Sequence, residues 1–199
     1  MIGILERRER DLEQIKDWQI IQTNSKLRKE LGRILDTEDD WSQLETLFFI
    51  AHILKARQVL ELGTGWGDSG IAILYGMNKH GNLYSLDIQN YSQLRERINL
   101  LGLGDNFHFY QVSSLSPPEE LLKMKYDFIY IDSNHEYEHV VKELELYCDL
   151  TKYIVMHDVI HEAETTQPAK AAFHFLTLHP EWNLIRLNTR HGLWLLYRL

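Results

Sequence analysis

The sequence predicts an α/β fold: a mostly parallel sheet with helices on both faces, closed by an antiparallel hairpin and preceded by a helical extension. Three observations carry this. From about residue 40 onward, short apolar runs alternate with segments of helical periodicity, the order that builds a parallel sheet. The runs are nearly continuous in apolar residues, as strands buried on both faces are. The last two runs are joined only by residues Asn188 to His191, a connection too short for a parallel crossover.

The elements follow in order. Residues 3 to about 35 read as one or two helices, with Leu5, Leu12, Ile15, Trp18 and Ile21 at helical steps. Residues 1–39 are therefore a helical extension and 40–199 the main domain. The acidic run Thr37-Glu38-Asp39-Asp40 suits a helix N-terminus. The helix it opens runs to about Lys55, with Leu44, Leu47, Phe48 and His52 along one side. Strands are expected at 59–62, 83–87, 107–112, 127–132 and 153–156, with helices at about 68–78, 94–101 and 137–148 between them. Asp127 reads as a structural acid at a strand start, and Cys148 as a buried helix residue. A polar segment, 160–167, leads to a helix that Pro168 opens. Strands 183–187 and 192–197 form the hairpin.

Composition excludes several classes. With 44% apolar and 25% charged residues, 199 residues can bury a core without disulfides, and the lone cysteine allows no intrachain disulfide. The net charge of −8 and the absence of a basic stripe argue against nucleic acid as a partner. The densest basic run, Glu6-Arg7-Arg8-Glu9-Arg10, neutralises itself. No stretch approaches the roughly 18 apolar residues of a membrane span. The opening residues run straight into charges and lack the apolar core of a signal peptide. A cytoplasmic protein without a membrane partner is the expectation.

The strand ending at Leu62 enters Gly63-Thr64-Gly65-Trp66-Gly67-Asp68-Ser69. Glycines allow a tight turn and let a ligand approach bare backbone, and the following helix start offers unpaired N–H groups. About 20 residues on, Asp87 ends the next strand, where a carboxylate can accept ribose hydroxyls. A dinucleotide fingerprint would need glycine or alanine where Asp68 stands, and a carboxylate there would repel pyrophosphate. This argues against a nicotinamide-dependent oxidoreductase.

Glu61-Leu62-Gly63-Thr64-Gly65-Trp66-Gly67 instead resembles the first motif, E/D-x-G-x-G-x-G, of class I S-adenosylmethionine-dependent methyltransferases. The resemblance covers about residues 40–199. It implies a Rossmann-like three-layer sandwich whose sheet has seven strands, the last of them antiparallel. It implies that Gly63, Gly65 and Gly67 line the amino-acid and ribose side of the cofactor, and that Glu61, Thr64, Trp66 and Ser69 complete this binding loop. Asp87 would bind the ribose hydroxyls, Ile88 would pack on adenine, and Ser113 and Ser114 would stand at the adenine contact. The family usually has an acid there, so serine is a departure.

Two further strands end in Asp132 and in His157-Asp158. Both ends open on the crevice outside the carboxyl edge of the sheet, so the two carboxylates should approach each other. Facing carboxylates need a cation or proton between them, and oxygen ligands suit Mg²⁺. The run Ile131-Asp132-Ser133-Asn134-His135-Glu136-Tyr137 is similar to I-D-G-D-H-x-Y of the macrolide-sugar O-methyltransferases and their cephalosporin-biosynthesis relatives. That resemblance implies that Asp132 and Asp158 hold Mg²⁺, with His157 as a further ligand or supporting group. His135 would be the catalytic base, and a small-molecule hydroxyl the acceptor. His139 and His161 read as solvent-facing.

Other readings are a cofactor-binding scaffold without turnover and a metal-independent N-methyltransferase. Two uses fit the apolar stripe of the N-terminal helices: closing over the substrate, or pairing with a second copy in a homodimer. Periodicity does not separate them.

Overall fold

The computed structural model describes residues 9–15, 41–161, 164–187, 189 and 191–199. The acidic run at 37–40, and the N-terminal helices apart from 9–15, lie outside the described residues. So do the domain boundary at 39 and any pairing of the extension with a second copy.

The main domain opens with helix α1 (Trp41–Ile53), strand β1 (Gln58–Leu62), α2 (Asp68–Gly76) and β2 (Asn82–Asp87). Then come α3 (Leu94–Leu100), β3 (Phe107–Gln111), the single turn α4 (Glu119–Leu122) and β4 (Phe128–Ile131). The chain closes with α5 (Tyr137–Tyr147), β5 (Tyr153–His157), α6 (Gln167–Leu178), β6 (Asn183–Leu187) and β7 (Leu193–Tyr197). The seven strands lie in the order β3-β2-β1-β4-β5-β7-β6. All neighbours are parallel except β5–β7 and β7–β6. The short link between β6 and β7 enforces the antiparallel end, as the sequence requires.

Strand side chains alternate between two cores, which explains why the strands read as continuous apolar runs. Val59, Phe128, Tyr130, Tyr153, Val155, Leu193 and Leu195 face the core under α1, α2 and α3. Leu60, Leu62, Ile129, Ile131, Ile154, Met156, Trp194 and Leu196 face the core under α5 and α6. Leu12 and Ile15, in the helical turns at 9–15, are buried in the first core. In α1 the buried face runs through Leu44, Leu47, Ile50 and Ala51, and His52 is exposed. The sequence grouped His52 with the apolar stripe; Ala51 takes that place because the 3.6-residue period advances the stripe by one position.

Two small features were not legible in the sequence: the turn α4, and a ribbon in which Ile160–His161 pairs antiparallel with Glu164–Thr165. The ribbon falls in the polar segment 160–167. Thr166 fastens its exit, donating to the Asp158 carbonyl at 2.6 Å and accepting from Ala169 N at the start of α6. Asp127 is the structural acid expected, accepting from Arg57 N at 2.6 Å and Gln58 N at 2.9 Å. Cys148 is buried, in a single 3₁₀ turn after α5. Among the described residues no helix is long and apolar enough to cross a membrane.

From β1 the chain moves outward to β2 and β3, then returns to β4 on the other side of β1. Such a reversal leaves a crevice at the carboxyl ends of the two central strands. Close packing of α1 on α2 supports this face. An added Cβ at Gly76 would stand 2.3 Å from the Phe48 carbonyl oxygen and 2.8 Å from Ala51 Cβ. Gly76→Ala is therefore expected to destabilise the fold by about 1–3 kcal/mol through overpacking. Urea unfolding would read this as a lowered midpoint at constant slope; an unchanged midpoint would contradict the packing described.

Candidate functional site

The glycine loop is shaped by backbone that only glycine adopts easily. Gly63, Gly65 and Gly67 have φ of +93°, +50° and +87°, in the region where a Cβ is strained. At Gly63 the constraint is also spatial: a Cβ would lie 2.1 Å from the Asp132 carbonyl oxygen. The backbones leaving β1 and β4 therefore touch. Asp132 N donates to Leu62 O at 2.8 Å, and Gly63 N donates to Leu86 O at 2.8 Å.

Asp87 braces the loop from β2. Its Oδ2 accepts from Thr64 N and Gly65 N, both at 3.0 Å, and its Oδ1 accepts from Gln89 N at 2.8 Å. Behind the loop Glu61 is fully buried. It accepts from Ser69 Oγ at 2.6 Å and Ser85 Oγ at 2.5 Å, and Ser85 shares a further bond with Thr64 Oγ1 at 2.6 Å. Burial pushes the Glu61 carboxyl up to about 7, against the opposing pull of the two serine hydroxyls.

A cavity of about 440 Å³ opens beside the loop. Gly63, Gly65, Asp87, Ile88, Ser113, Ser114, Asp132 and His135 line it, with Leu86, Gln89, Tyr91, Val112, Ser133, Asn134 and His139. Most of the residues singled out in the sequence thus converge. Glu61, Thr64, Gly67 and Ser69 do not line the cavity; they hold the loop from behind. Trp66 lies on the outer side, largely exposed, with its ring 4.9 Å from that of Tyr91. Arg97 donates to the Trp66 carbonyl at 3.0 Å and pairs with Asp68. A larger cleft of about 640 Å³ lies at the opposite sheet edge, by Asp127 and Arg198, away from Asp87, Asp132 and Asp158.

At the far end of the cavity the two acids meet. His135 Nε2 stands 3.5 Å from Asp132 Oδ1 and 3.3 Å from Asp158 Oδ2. His157 Nδ1 stands 3.2 Å and 3.4 Å from the same two oxygens. One ligand atom from each of Asp132, His135 and Asp158 lies within 4.8 Å of the others. Asp158 reaches this position with a left-handed backbone, φ +52°. Burial alone would raise the Asp132 pKa. Hydrogen bonds with His135 and His157, the charge of His157 and the Tyr130 hydroxyl outweigh it and hold the group at about 2. The hydrogen bond to Asp132 raises the His135 pKa, burial opposes this, and the charges of Asp158 and Asp132 add to it.

Several contributors were missed in the sequence. Tyr130, fully buried, donates to Asp132 Oδ2 at 2.9 Å and is bonded to Gln43 of α1. The two-residue spacing of Tyr130 and Asp132 placed them on one strand face. His139 was expected to face solvent. It is instead half-buried in the cavity wall, bonded to Ser114 Oγ at 3.0 Å and Glu143 Oε1 at 3.2 Å. The four-residue step from His139 to Glu143 was the available signal. The side chain of His161 lies outside the described residues.

Comparison with known proteins places this arrangement. The model of a methyltransferase-domain family matches residues 60–166, more than half of the chain. The chain belongs to this family. Among curated proteins no sequence matches it significantly. Solved structures share its fold. An O-methyltransferase from Bacillus cereus in complex with S-adenosylhomocysteine superposes with TM-score 0.65 at 17% identity, over 95% of this chain and 90% of that one. A methyltransferase from Geobacter sulfurreducens gives TM-score 0.66 at 14% identity, over 94% and 96%. An O-methyltransferase from Streptomyces achromogenes, involved in tomaymycin synthesis and solved with S-adenosylmethionine, gives 0.61 at 13% identity, over 88% and 91%. The protein is a methyltransferase with the class I, S-adenosylmethionine-dependent fold.

Burying Glu61 makes stability depend on pH. The folded protein keeps its proton to about pH 7, whereas an unfolded chain releases it near 4.5. Stability from this group is therefore complete below about pH 4.5 and falls as pH rises through the window to 7. The loss is on the order of 3 kcal/mol. Glu61→Gln is expected to flatten this fall in denaturation midpoints compared at pH 5 and pH 8. An identical fall in wild type and variant would contradict the assignment.

Proposed function

We propose that this methyltransferase moves the methyl group of S-adenosylmethionine to a hydroxyl of a small molecule, with help from a divalent cation, in the first instance Mg²⁺. The observation that carries the reading is the junction at Gly63 and Asp132. There the glycine-lined cavity ends directly at a cluster of two carboxylates and two histidines.

The cavity fits the cofactor in kind. Bare backbone at Gly63 and Gly65 admits the amino-acid tail, the Asp87 carboxylate can accept from ribose hydroxyls, and Ile88 and Val112 offer apolar wall to a base. The cation fit rests on the donor set. Asp132 and Asp158 supply two anionic oxygens on converging strand ends, close enough to share one partner. Carboxylate oxygens with room for water suit Mg²⁺, and His157 would add a nitrogen to the set.

When bound there, the cation would make an acceptor hydroxyl more acidic. The chain's own groups do the rest. The two acids face His135 Nε2 and keep a proton on it, so Nδ1 is the atom that takes the hydroxyl proton. Tyr130 fixes Asp132 from below. The glycine loop and Asp87 hold the donor so that the acceptor oxygen approaches the methyl carbon from the side opposite sulfur. The new O–C bond forms as the S–C bond breaks, leaving S-adenosylhomocysteine.

A panel of small hydroxyl compounds tests this. Methyl transfer to at least one member is expected to stop in chelator and return on adding Mg²⁺. His135→Ala is expected to lower kcat by about 10²–10⁴, while S-adenosylhomocysteine binding stays as in wild type. Transfer undiminished by chelator would contradict cation assistance and favour an amine acceptor. No transfer to any member, with cofactor binding intact, would favour a binding scaffold.

A further inference from the structure

One imidazole of the cavity wall has no task in this reaction. His139, in the first turns of α5, lines the cavity together with Ser114 of the β3 loop and Ile88. Its Nε2 lies 3.0 Å from Ser114 Oγ and 3.2 Å from Glu143 Oε1. The Glu143 side chain is 0% exposed. Oε1 also accepts from Ser133 Oγ at 2.5 Å, while Oε2 has no hydrogen-bond partner among the described residues.

Burial raises the Glu143 pKa, and the hydrogen bonds of Ser114, Ser133 and His139 oppose it and favour the carboxylate. One consequence of keeping it is chemical. An ionised carboxylate only accepts, so the nitrogen facing it carries the proton. In a neutral imidazole the other nitrogen then presents a lone pair. For His139 that nitrogen is Nδ1, on a ring that forms part of the cavity wall. The wall here offers two serines but no acid from the β3 loop.

We propose that His139 reads the base of the cofactor: Nδ1 accepts a hydrogen bond from the 6-amino group of adenine, and Glu143 fixes the tautomer that makes this possible. The inference rests on the cofactor reading above. His139 is a specificity residue that touches the cofactor, and Glu143 is a positioning residue acting through it. A base bearing a 6-oxo group would present an acceptor to an acceptor and be rejected.

The test compares calorimetric affinities for S-adenosylhomocysteine and its 6-oxo analogue, S-inosylhomocysteine. Wild type is expected to prefer the adenine compound. His139→Ala is expected to lower that preference about tenfold, through weaker binding of the adenine compound alone. His139→Asn places an amide oxygen near the position of Nδ1 and is expected to restore most of the preference. Glu143→Gln can offer an N–H to Nε2, and is expected to reduce the preference as well. A preference unchanged in His139→Ala overturns the proposal. So does a parallel loss for both compounds, which would mark a purely structural role. Wild type that binds both equally overturns this inference and leaves the cofactor reading standing. Wild type that binds neither overturns the cofactor reading and the inference with it.

Discussion

Where β1 and β4 end, two backbones approach so closely that no side chain can stand between them. Gly63 at φ +93° faces the Asp132 carbonyl, with room for a hydrogen but not for a carbon. This contact couples two parts of the site that could otherwise drift apart. On one side it shapes the loop that Asp87 then pins with two amide hydrogen bonds. On the other it fixes the start of the segment that carries Asp132 and His135. The cavity and the carboxylate cluster adjoin because these strand ends share a boundary one backbone thick.

Charge is distributed in the site by depth. Glu61 and Glu143 are carboxyls buried completely, and both meet serine hydroxyls. Asp132 and Asp158 stand at the crevice, where two histidines bridge them. Burial pushes the Glu61 carboxyl up to about 7, whereas Asp132 is held at about 2 because its hydrogen bonds and the His157 charge win over burial. A carboxyl group thus serves as a structural clamp behind the loop and stays anionic at its mouth.

The architecture was legible in the sequence because its strands are buried on both faces, so each read as an apolar run. The short link between β6 and β7 made the antiparallel end unavoidable. The positions of Asp87, Asp132 and Asp158 were legible because they needed only the strand boundaries. His139 was not, because its exposure depends on how α5 docks against the β3 loop, a tertiary fact invisible to helical periodicity. His52 failed for a smaller reason, a shift of one position in the buried stripe of α1. The ribbon at Ile160–His161 and Glu164–Thr165 is two residues wide and leaves no pattern to read. Serine stands after β3 where the family usually has an acid, and the buried Glu143 is joined to Ser114 through His139.

The proposed place of the nucleoside and methionine parts of S-adenosylmethionine is the crevice between β1 and β4. A crystal structure of the chain grown with S-adenosylhomocysteine tests it most directly. The ribose hydroxyls are expected at Asp87 and the amino-acid tail against the bare backbone of Gly63 and Gly65, with the sulfur directed toward Asp132. Density for the ligand anywhere else, or a crevice that stays empty at saturating ligand, would contradict it.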